Sequence, residues 1–79
     1  MATIKIVTEP LRAGELCEVK ITGSAEGQPV IISIGGRVVA RIDVKPPKIV
    51  SFRLPAGSAG KSLRVSLPGD FDNGFILAP

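Results

Sequence analysis

Three short patterns in the chain carry residue types that chemistry uses, and one of them resembles a phosphate-binding loop. Residues 57–62 read Gly-Ser-Ala-Gly-Lys-Ser, and such a loop holds phosphate oxygens with glycine amides and a lysine. It would also need a glycine where Pro55 stands and a following helix, whose N-terminus attracts anions. Residues 63–67 instead alternate apolar and polar, as a strand does. The pattern predicts a flexible turn and no nucleotide binding.

The second pattern is a pair of alternate carboxylates, Asp70 and Asp72, followed by Asn73 and Gly74. Alternate acidic residues before a glycine resemble the start of a calcium loop, which gathers hard oxygen ligands. The spacing before the glycine is one residue short, and residues 75–79 contain no acidic residue to close the site. Asp and Asn also favour turns through their own side-chain hydrogen bonds. We predict a turn or bulge here, with ion binding as the open alternative.

The third candidate is Cys17, the only cysteine. A reactive thiolate needs a neighbouring base or a positive field, and the chain contains no histidine. Alternation in residues 15–22 places Cys17 on one face with Val19 and Ile21, which predicts a core position. One cysteine forms no intrachain disulfide, and without histidine it completes no tetrahedral metal site.

Paired carboxylates are the remaining route to catalysis. Five further acidic residues fall on the exteriors of predicted strands or in turns: Glu9, Glu15, Glu18, Glu26 and Asp43. None of them belongs to a motif that defines a pocket, which hydrolysis by two carboxylates requires. We therefore predict that the chain is not an enzyme and uses no cofactor or metal.

Composition indicates one small globular domain. The chain has 79 residues, of which 44% are hydrophobic and 22% are charged. Its net charge is +3, but the basic residues stand singly, without a set of interleaved exposed aromatic residues for base stacking, so we predict no nucleic-acid binding. The start lacks an export signal and no apolar run reaches membrane-spanning length. We predict cytoplasmic synthesis and no membrane contact.

Alternating apolar and polar residues, broken by Gly and Pro, predict an all-β domain. Gly35-Gly36 predicts a tight hairpin, and Pro46-Pro47 predicts a crossover, because proline cannot lie inside a paired strand. Six or seven antiparallel strands favour a two-sheet sandwich, with a small closed barrel as the alternative. The first and last strands are expected to pair. The predicted strands are residues 3–8, 15–22, 30–34, 37–44, 48–54, 61–67 and 71–77.

Outward-facing apolar residues form the candidate partner interface, because a contiguous exposed apolar patch marks a contact surface. We expect Leu11 and residues 75–78 beside them, and we expect Val38 to face the core. The alternative is that some of the set lie under loops at sheet edges. Three arginines, Arg37, Arg41 and Arg53, are expected to help against acidic partner surfaces. The apolar set is Val7, Leu16, Ile31, Val39 and Ile49.

The pattern of strands and turns in residues 11–67 resembles the repeating modules of the bacterial immunoglobulin-like superfamily. The segments that carry the resemblance are Ala13-Gly14 and residues 19–23, 30–36 and 55–60. The chain departs from antibody-type domains in lacking the paired cysteines and the core tryptophan. The resemblance implies an immunoglobulin-like β-sandwich of six to seven antiparallel strands over residues 1–79. It also implies spacer roles in exported proteins or accessory roles on bacterial virus particles.

Three functions follow as hypotheses. The first is a decoration or cement protein of a bacteriophage capsid that binds other virion proteins or further copies of itself. Its size, its start, its single cysteine and the lack of an export signal favour this role, which would place the chain on the capsid surface. The second is a spacer or adhesion module of a longer exported protein, which would be extracellular. The third is a carbohydrate-binding module that uses Phe71 and Phe75.

Overall fold

The computed structural model describes residues 2–23 and 26–79, and most of them lie in β-strands. The predicted loop at 23–28 falls partly on residues 24 and 25, outside the described residues. A single 3₁₀ helix, Ala56–Ser58, is found in the described part of the chain, where no helix is long and apolar enough to span a membrane. The strands are β1 (Thr3–Ile6), β2 (Leu11–Arg12), β3 (Leu16–Thr22), β4 (Gln28–Ile34), β5 (Arg37–Val44), β6 (Lys48–Arg53), β7 (Ser62–Leu67) and β8 (Asp70–Leu77).

The strands form two sheets, consistent with a small β-sandwich. One sheet has the order β1-β3-β6 and the other β2-β8-β7-β4-β5, so the all-β prediction is confirmed. The described residues contain eight strands rather than six or seven. All neighbours are antiparallel except β2 and β8, which run parallel. The extra strand arises because the chain, after leaving the smaller sheet at Ile6, joins the larger one at Leu11.

Turn residues determine two of the connections as the sequence predicts. Gly35 and Gly36 have φ of 61° and 82° and close the β4–β5 hairpin, because glycine adopts positive φ without steric cost. Pro46-Pro47 follows β5 in the larger sheet and precedes β6 in the smaller one, so the predicted crossover is confirmed. The apolar strand β4 is interior, between β7 and β5.

The core lies between the sheets and is built from aliphatic residues of both. Alternate residues of β3 and β7 are buried, since successive side chains of a strand point to opposite faces. The one buried polar residue among those described, Ser58, donates a hydrogen bond from Oγ to the Pro55 carbonyl at 2.6 Å. The largest fully buried side chains are Ile21, Ile32, Leu54, Leu63, Ile76, Val19, Val30, Val65 and Cys17.

A β-bulge in β5 reverses one prediction about side-chain direction. Ala40 lies opposite Ile32 and Val38 lies opposite Ser33, so Val39 is an extra residue between these pairs. A bulge of this kind leaves one residue unpaired and shifts the alternation beyond it. The prediction that Val38 faces the core is therefore wrong, and its side chain is 54% exposed.

The first and last strands do not pair, contrary to prediction. Strand β1 pairs with β3 in the smaller sheet, while β8 pairs with β7 and β2 in the larger one. The predicted turn or bulge at Asp72–Gly74 is also wrong, because β8 is continuous from Asp70 to Leu77. Its even-numbered residues face the smaller sheet, and backbone pairing with β7 keeps the segment extended.

Candidate functional site

Four of the predicted interface residues belong to the smaller sheet or its margin, and the structure keeps them apart. Leu16 and Arg53 lie opposite each other on β3 and β6. Ile49 lies opposite Lys20 instead, and Val7, just past β1, donates its N–H to the Glu18 carbonyl at 2.9 Å. Charged residues therefore separate the exposed apolar side chains Val7, Leu16 and Ile49, and they form no contiguous patch.

The other four predicted interface residues belong to the larger sheet. Ile31 on β4 is half-buried, with Arg41 opposite it on β5, and Val39 is exposed at the bulge. Arg37 lies opposite the buried Ile34 at the hairpin end. Opposite residues share a face of the sheet, so Arg37 lies on the core-facing side. It is exposed because it lies at the end of the sandwich. Ile31, Val39 and Arg41 are therefore brought together, and Arg37 lies aside.

The outer face of the larger sheet exposes aromatic side chains that the predicted interface did not include. Phe71 and Phe75 are 51% and 59% exposed. The Arg64 guanidinium carbon lies 4.1 Å from the centroid of the Phe71 ring, a cation–π contact. Ser66 of β7 is opposite both Phe71 and Ile31, so one row crosses the sheet. We call this surface the aromatic face: Phe71, Phe75 and Leu77 of β8, Arg64 of β7, Ile31 of β4, and Val38 and Val39 of β5.

Two residues expected beside the interface are core residues instead. Leu11 is 5% exposed and Ile76 is fully buried. Because β8 is one continuous strand, its even-numbered residues face inward, and Phe71, Asn73, Phe75 and Leu77 face outward. The sequence signal for the aromatic face is the unbroken alternation of inward and outward side chains through Gly74. The prediction of a turn at Asp72–Gly74 interrupts this alternation and therefore missed the face.

Asp70 and Asp72, the candidate ion ligands, bind backbone amides of β1. Their Oδ2 atoms accept hydrogen bonds from the N–H groups of Ile4 and Ile6, each at 2.9 Å. Asp72 Oδ1 also accepts from the Asn73 N–H at 3.0 Å. No group of three or more potential ligand side chains converges within residues 2–23 and 26–79. The two carboxylates thus take the place of a neighbouring strand at the edge of β1.

Cys17 is fully buried between the sheets, so its predicted core position is confirmed. Burial raises the pKa of the Cys17 thiol from 9.0 to about 11, and the negative charge of Glu18 acts in the same direction. Both effects disfavour the thiolate. The side chain is therefore a neutral packing group at neutral pH.

We expect stability at alkaline pH to report this buried thiol. The folded-state pKa lies above the ordinary value of 9.0, so the unfolded chain ionises first. Stability is retained below about pH 9 and is lost as the pH rises toward 11. Relative to Cys17→Ala, the free energy of unfolding should fall by about 2–3 kcal/mol across that window. Urea unfolding of both proteins in reducing buffer measures this difference. Parallel pH curves would contradict it.

The segment that resembles a phosphate-binding loop leads into a strand. Ala56–Ser58 form the 3₁₀ helix, and β7 covers Ser62–Leu67, so the predicted strand over residues 61–67 is confirmed except at its first residue. Lys61 accepts a hydrogen bond from the Ile76 N–H at its carbonyl, which ties this loop to β8. The segment is therefore followed by a strand, where a phosphate-binding loop requires a helix.

A crevice of about 380 Å³ opens where the chain passes from β1 to β2. Asp72 in its wall already accepts hydrogen bonds from two backbone amides, and Glu9 is an exposed carboxylate at its rim. Phe75 and Leu77 connect the crevice to the aromatic face. The lining residues are Ile6, Thr8, Glu9, Pro10, Leu11, Asp72, Asn73, Gly74, Phe75 and Leu77.

Comparison with family models, with curated proteins and with solved structures gives no match to this chain. The exposure, charge and packing of the described residues are therefore the basis of the functional proposal.

Proposed function

We propose that this chain is a non-enzymatic, protein-binding structural domain with an immunoglobulin-like sandwich. The strand connections support the immunoglobulin-like topology. The chain changes sheets at five connections: β1 to β2, β2 to β3, β3 to β4, β5 to β6 and β6 to β7. Such crossings are typical of Greek-key sandwiches, in which sequential strands are shared between two facing sheets.

The observation that carries the proposal is the aromatic face. Aromatic and arginine side chains are enriched at protein–protein contacts and dominate their binding energy. Here Arg64 lies on the Phe71 ring, and Arg41 flanks Ile31 in the same row. Two arginines among exposed apolar groups fit a partner surface that combines apolar side chains with carboxylates. Binding such a surface would cover Phe71 and Phe75.

The specific role that we propose is decoration or cementing of a bacteriophage capsid, at the capsid surface after cytoplasmic synthesis. The support for this choice is the resemblance to immunoglobulin-like modules, together with the shape of the domain. The described residues extend over 36 × 20 × 15 Å, and one broad sheet face carries the candidate binding residues. A broad face of this kind suits contact with a protein shell.

Co-sedimentation with preformed capsids tests this role. The test requires capsids assembled from the major capsid protein of a bacteriophage whose genome encodes this chain. We expect the wild-type chain to sediment with them, and Phe75→Ser to bind at least about tenfold more weakly, because truncating a central aromatic anchor has an effect of this size. Leu16→Ser is the matched control, since Leu16 is similarly exposed, at 55%, on the opposite sheet.

Two results would contradict the proposal in different ways. Equal loss of binding in Phe75→Ser and Leu16→Ser would exclude the aromatic face as the binding site. If the folded wild-type chain does not sediment with capsids, the capsid role is excluded.

A spacer module in an exported protein is the second candidate, and strand direction favours it. Ile4 and Ile6 meet Asp70 and Asp72 in the same order, so β1 and β8 run in the same direction. A chain that enters at β1 and leaves at β8 thus crosses the domain from one end to the other, as tandem modules require. A reading frame that continues into further repeats of this domain would favour this candidate over the first.

A further inference from the structure

Backbone groups at the strand edges have hydrogen-bond partners on one side of the sandwich and are open on the other. Val7 donates its N–H to Glu18 across β1 and β3, so the N–H groups of Ile4 and Ile6 point to the opposite edge. There they are bound by Asp70 and Asp72. On the same side, Asp72 binds the Asn73 N–H and β2 covers the end of β8. Edges that are satisfied in this way cannot recruit another strand.

The opposite side is formed by β5 and β6, each of which is paired on one edge only. The Gly35 N–H donates to the Ser62 carbonyl on the β7 side of β4. Because alternate residues of a strand direct their backbone groups to opposite edges, Ile32 and Val30 of β4 bond to Ala40 and Ile42 of β5. The backbone groups of Arg41 and Asp43 therefore face outward from β5, and none of the side-chain hydrogen bonds found among the described residues reaches them.

The same side also leaves core-facing side chains incompletely covered. Four hydrophobic residues of these edge strands pack on the core but are only partly buried: Ala40, Ile42, Val50 and Phe52. Their counterparts in interior strands, such as Ile32 and Val65, are almost fully buried. An added strand beside β5 would remove apolar surface from water, which favours association.

We propose that two copies of this chain pair through the free edges of β5, antiparallel and centred on Ile42. In this register Arg41 lies opposite Asp43 of the second copy, and Asp43 lies opposite that copy's Arg41. Each pair exchanges both backbone N–H···O bonds, because both residues direct those groups to the free edge. Opposite charges directly across a sheet are stabilising. Ile42 lies opposite Ile42 of the second copy, and both side chains are on the core-facing side. This pairing does not depend on the capsid role.

Charge and backbone geometry exclude the neighbouring registers. Centring the pair on Arg41 or on Asp43 would place like charges opposite each other, which is destabilising. Centring it on Ala40 would carry the pairing through the bulge at Val39, where the regular hydrogen-bond pattern is interrupted. On the other side β5 ends at Val44, so centring the pair on Val44 would oppose Asp43 with Lys45, which lies outside the strand, and Arg41 with Pro47, which has no N–H.

The second open edge, β6, is less suited to self-pairing. Its sequence, KIVSFR, contains two basic residues and no acidic one, so antiparallel copies of β6 offer no opposite-charge pair. β5 carries both signs two residues apart, which makes it complementary to itself. A symmetric contact of this kind closes at two copies.

Analytical ultracentrifugation over a concentration series tests the pairing. We expect the wild-type mass to rise with concentration from 8.2 kDa to twice that value and no further. Arg41→Asp and Asp43→Arg each create like-charge pairs, and each should weaken dimerisation at least about tenfold. An equimolar mixture of the two variants should restore the dimer, because every cross-pair is again of opposite sign.

Matched variants keep the result interpretable. Lys20→Asp changes net charge as Arg41→Asp does, but it lies on β3 at the outer face of the smaller sheet, and its dimerisation should equal that of wild type. Asp43→Pro removes both an edge N–H and the Asp43 carboxylate, and it should also yield monomers, since proline is tolerated in an edge strand. Circular dichroism establishes that each variant is folded.

Three outcomes would overturn the proposal. A folded wild-type chain that stays monomeric up to about 1 mM would mean that the charges and the bulge of β5 block association instead. Assembly that grows beyond two copies would indicate pairing of β5 with β6. A mixture of Arg41→Asp and Asp43→Arg that fails to dimerise would exclude the register.

Discussion

Replacing Asp70 and Asp72 together by alanine is expected to lower the free energy of unfolding by about 2–4 kcal/mol. The double variant leaves the N–H groups of Ile4 and Ile6 without their acceptors, and both hydrogen bonds are partly buried. Hydrogen bonds to charged groups are stronger than neutral ones, and an unpaired amide at such a site has a desolvation cost. A domain of this length has a total stability of roughly 4–12 kcal/mol. The loss is therefore large enough to populate the unfolded chain.

Urea unfolding and amide exchange measure this effect separately. Exchange of the Ile4 and Ile6 amides should accelerate more than exchange at the interior strand β4, because β1 is the strand that loses its acceptors. The isosteric variant Asp70→Asn/Asp72→Asn keeps an oxygen acceptor for each amide, so its loss should be less than half as large. Equal stability of the alanine variant and wild type would show that water replaces the carboxylates.

Gly74→Ala is expected to destabilise the domain by about 1–3 kcal/mol, the cost of displacing the packed Leu11 side chain. Glycine inside a strand is ordinarily less stable than alanine by roughly 0.5–1 kcal/mol, so the expected sign is the reverse of the usual one. A Cβ at Gly74 would overlap Leu11 Cδ1 and come within 3.6 Å of Ile6 Cδ1. Leu11 is 5% exposed, so its Cδ1 must leave a packed position to make room for the added methyl.

A double-mutant cycle with Leu11→Ala measures the clash directly. Leu11→Ala alone should cost about 2–5 kcal/mol through the cavity that it leaves. The added methyl of Gly74→Ala occupies part of that cavity, so the double variant should lose less than the sum of the single losses. Gly57→Ala is the control, since a Cβ there meets no atom within 4 Å, and its effect should stay within about 0.5 kcal/mol. Additive losses at Gly74 and Leu11 would contradict the overlap.

Much of the fold was predictable because its signals are local. The alternation in residues 15–22 and 61–67 predicted which side chains are buried, and β3 and β7 follow it. Gly35-Gly36 and Pro46-Pro47 act through their own backbone conformations, so the hairpin and the crossover could be predicted from these residues alone. The predictions failed where a distant contact governs the backbone. β2 exists because Leu11–Arg12 pair with Ile76–Leu77, more than sixty residues away along the chain.

The candidate site also depends partly on local sequence signals and partly on distant contacts. Which residues alternate outward is a property of the strand, and Ile31, Val39 and Arg41 were identified in that way. Whether such residues meet depends on sheet order, which places Leu16 and Ile49 on one sheet and Ile31 on the other. Phe71 and Phe75 became one surface with Arg64 only because β8 pairs with β7 along its length.

Local patterning in this chain is sufficient to specify β-strands, two turns and an aliphatic core that contains Cys17, because each depends on residues close in sequence. The aromatic face, the carboxylates on β1 and the open edge of β5 depend instead on which strands become neighbours. Asp70 and Asp72 show the difference most clearly. Their spacing by two is visible in the sequence, yet their role as acceptors for Ile4 and Ile6 arises only when the two sheets pack together.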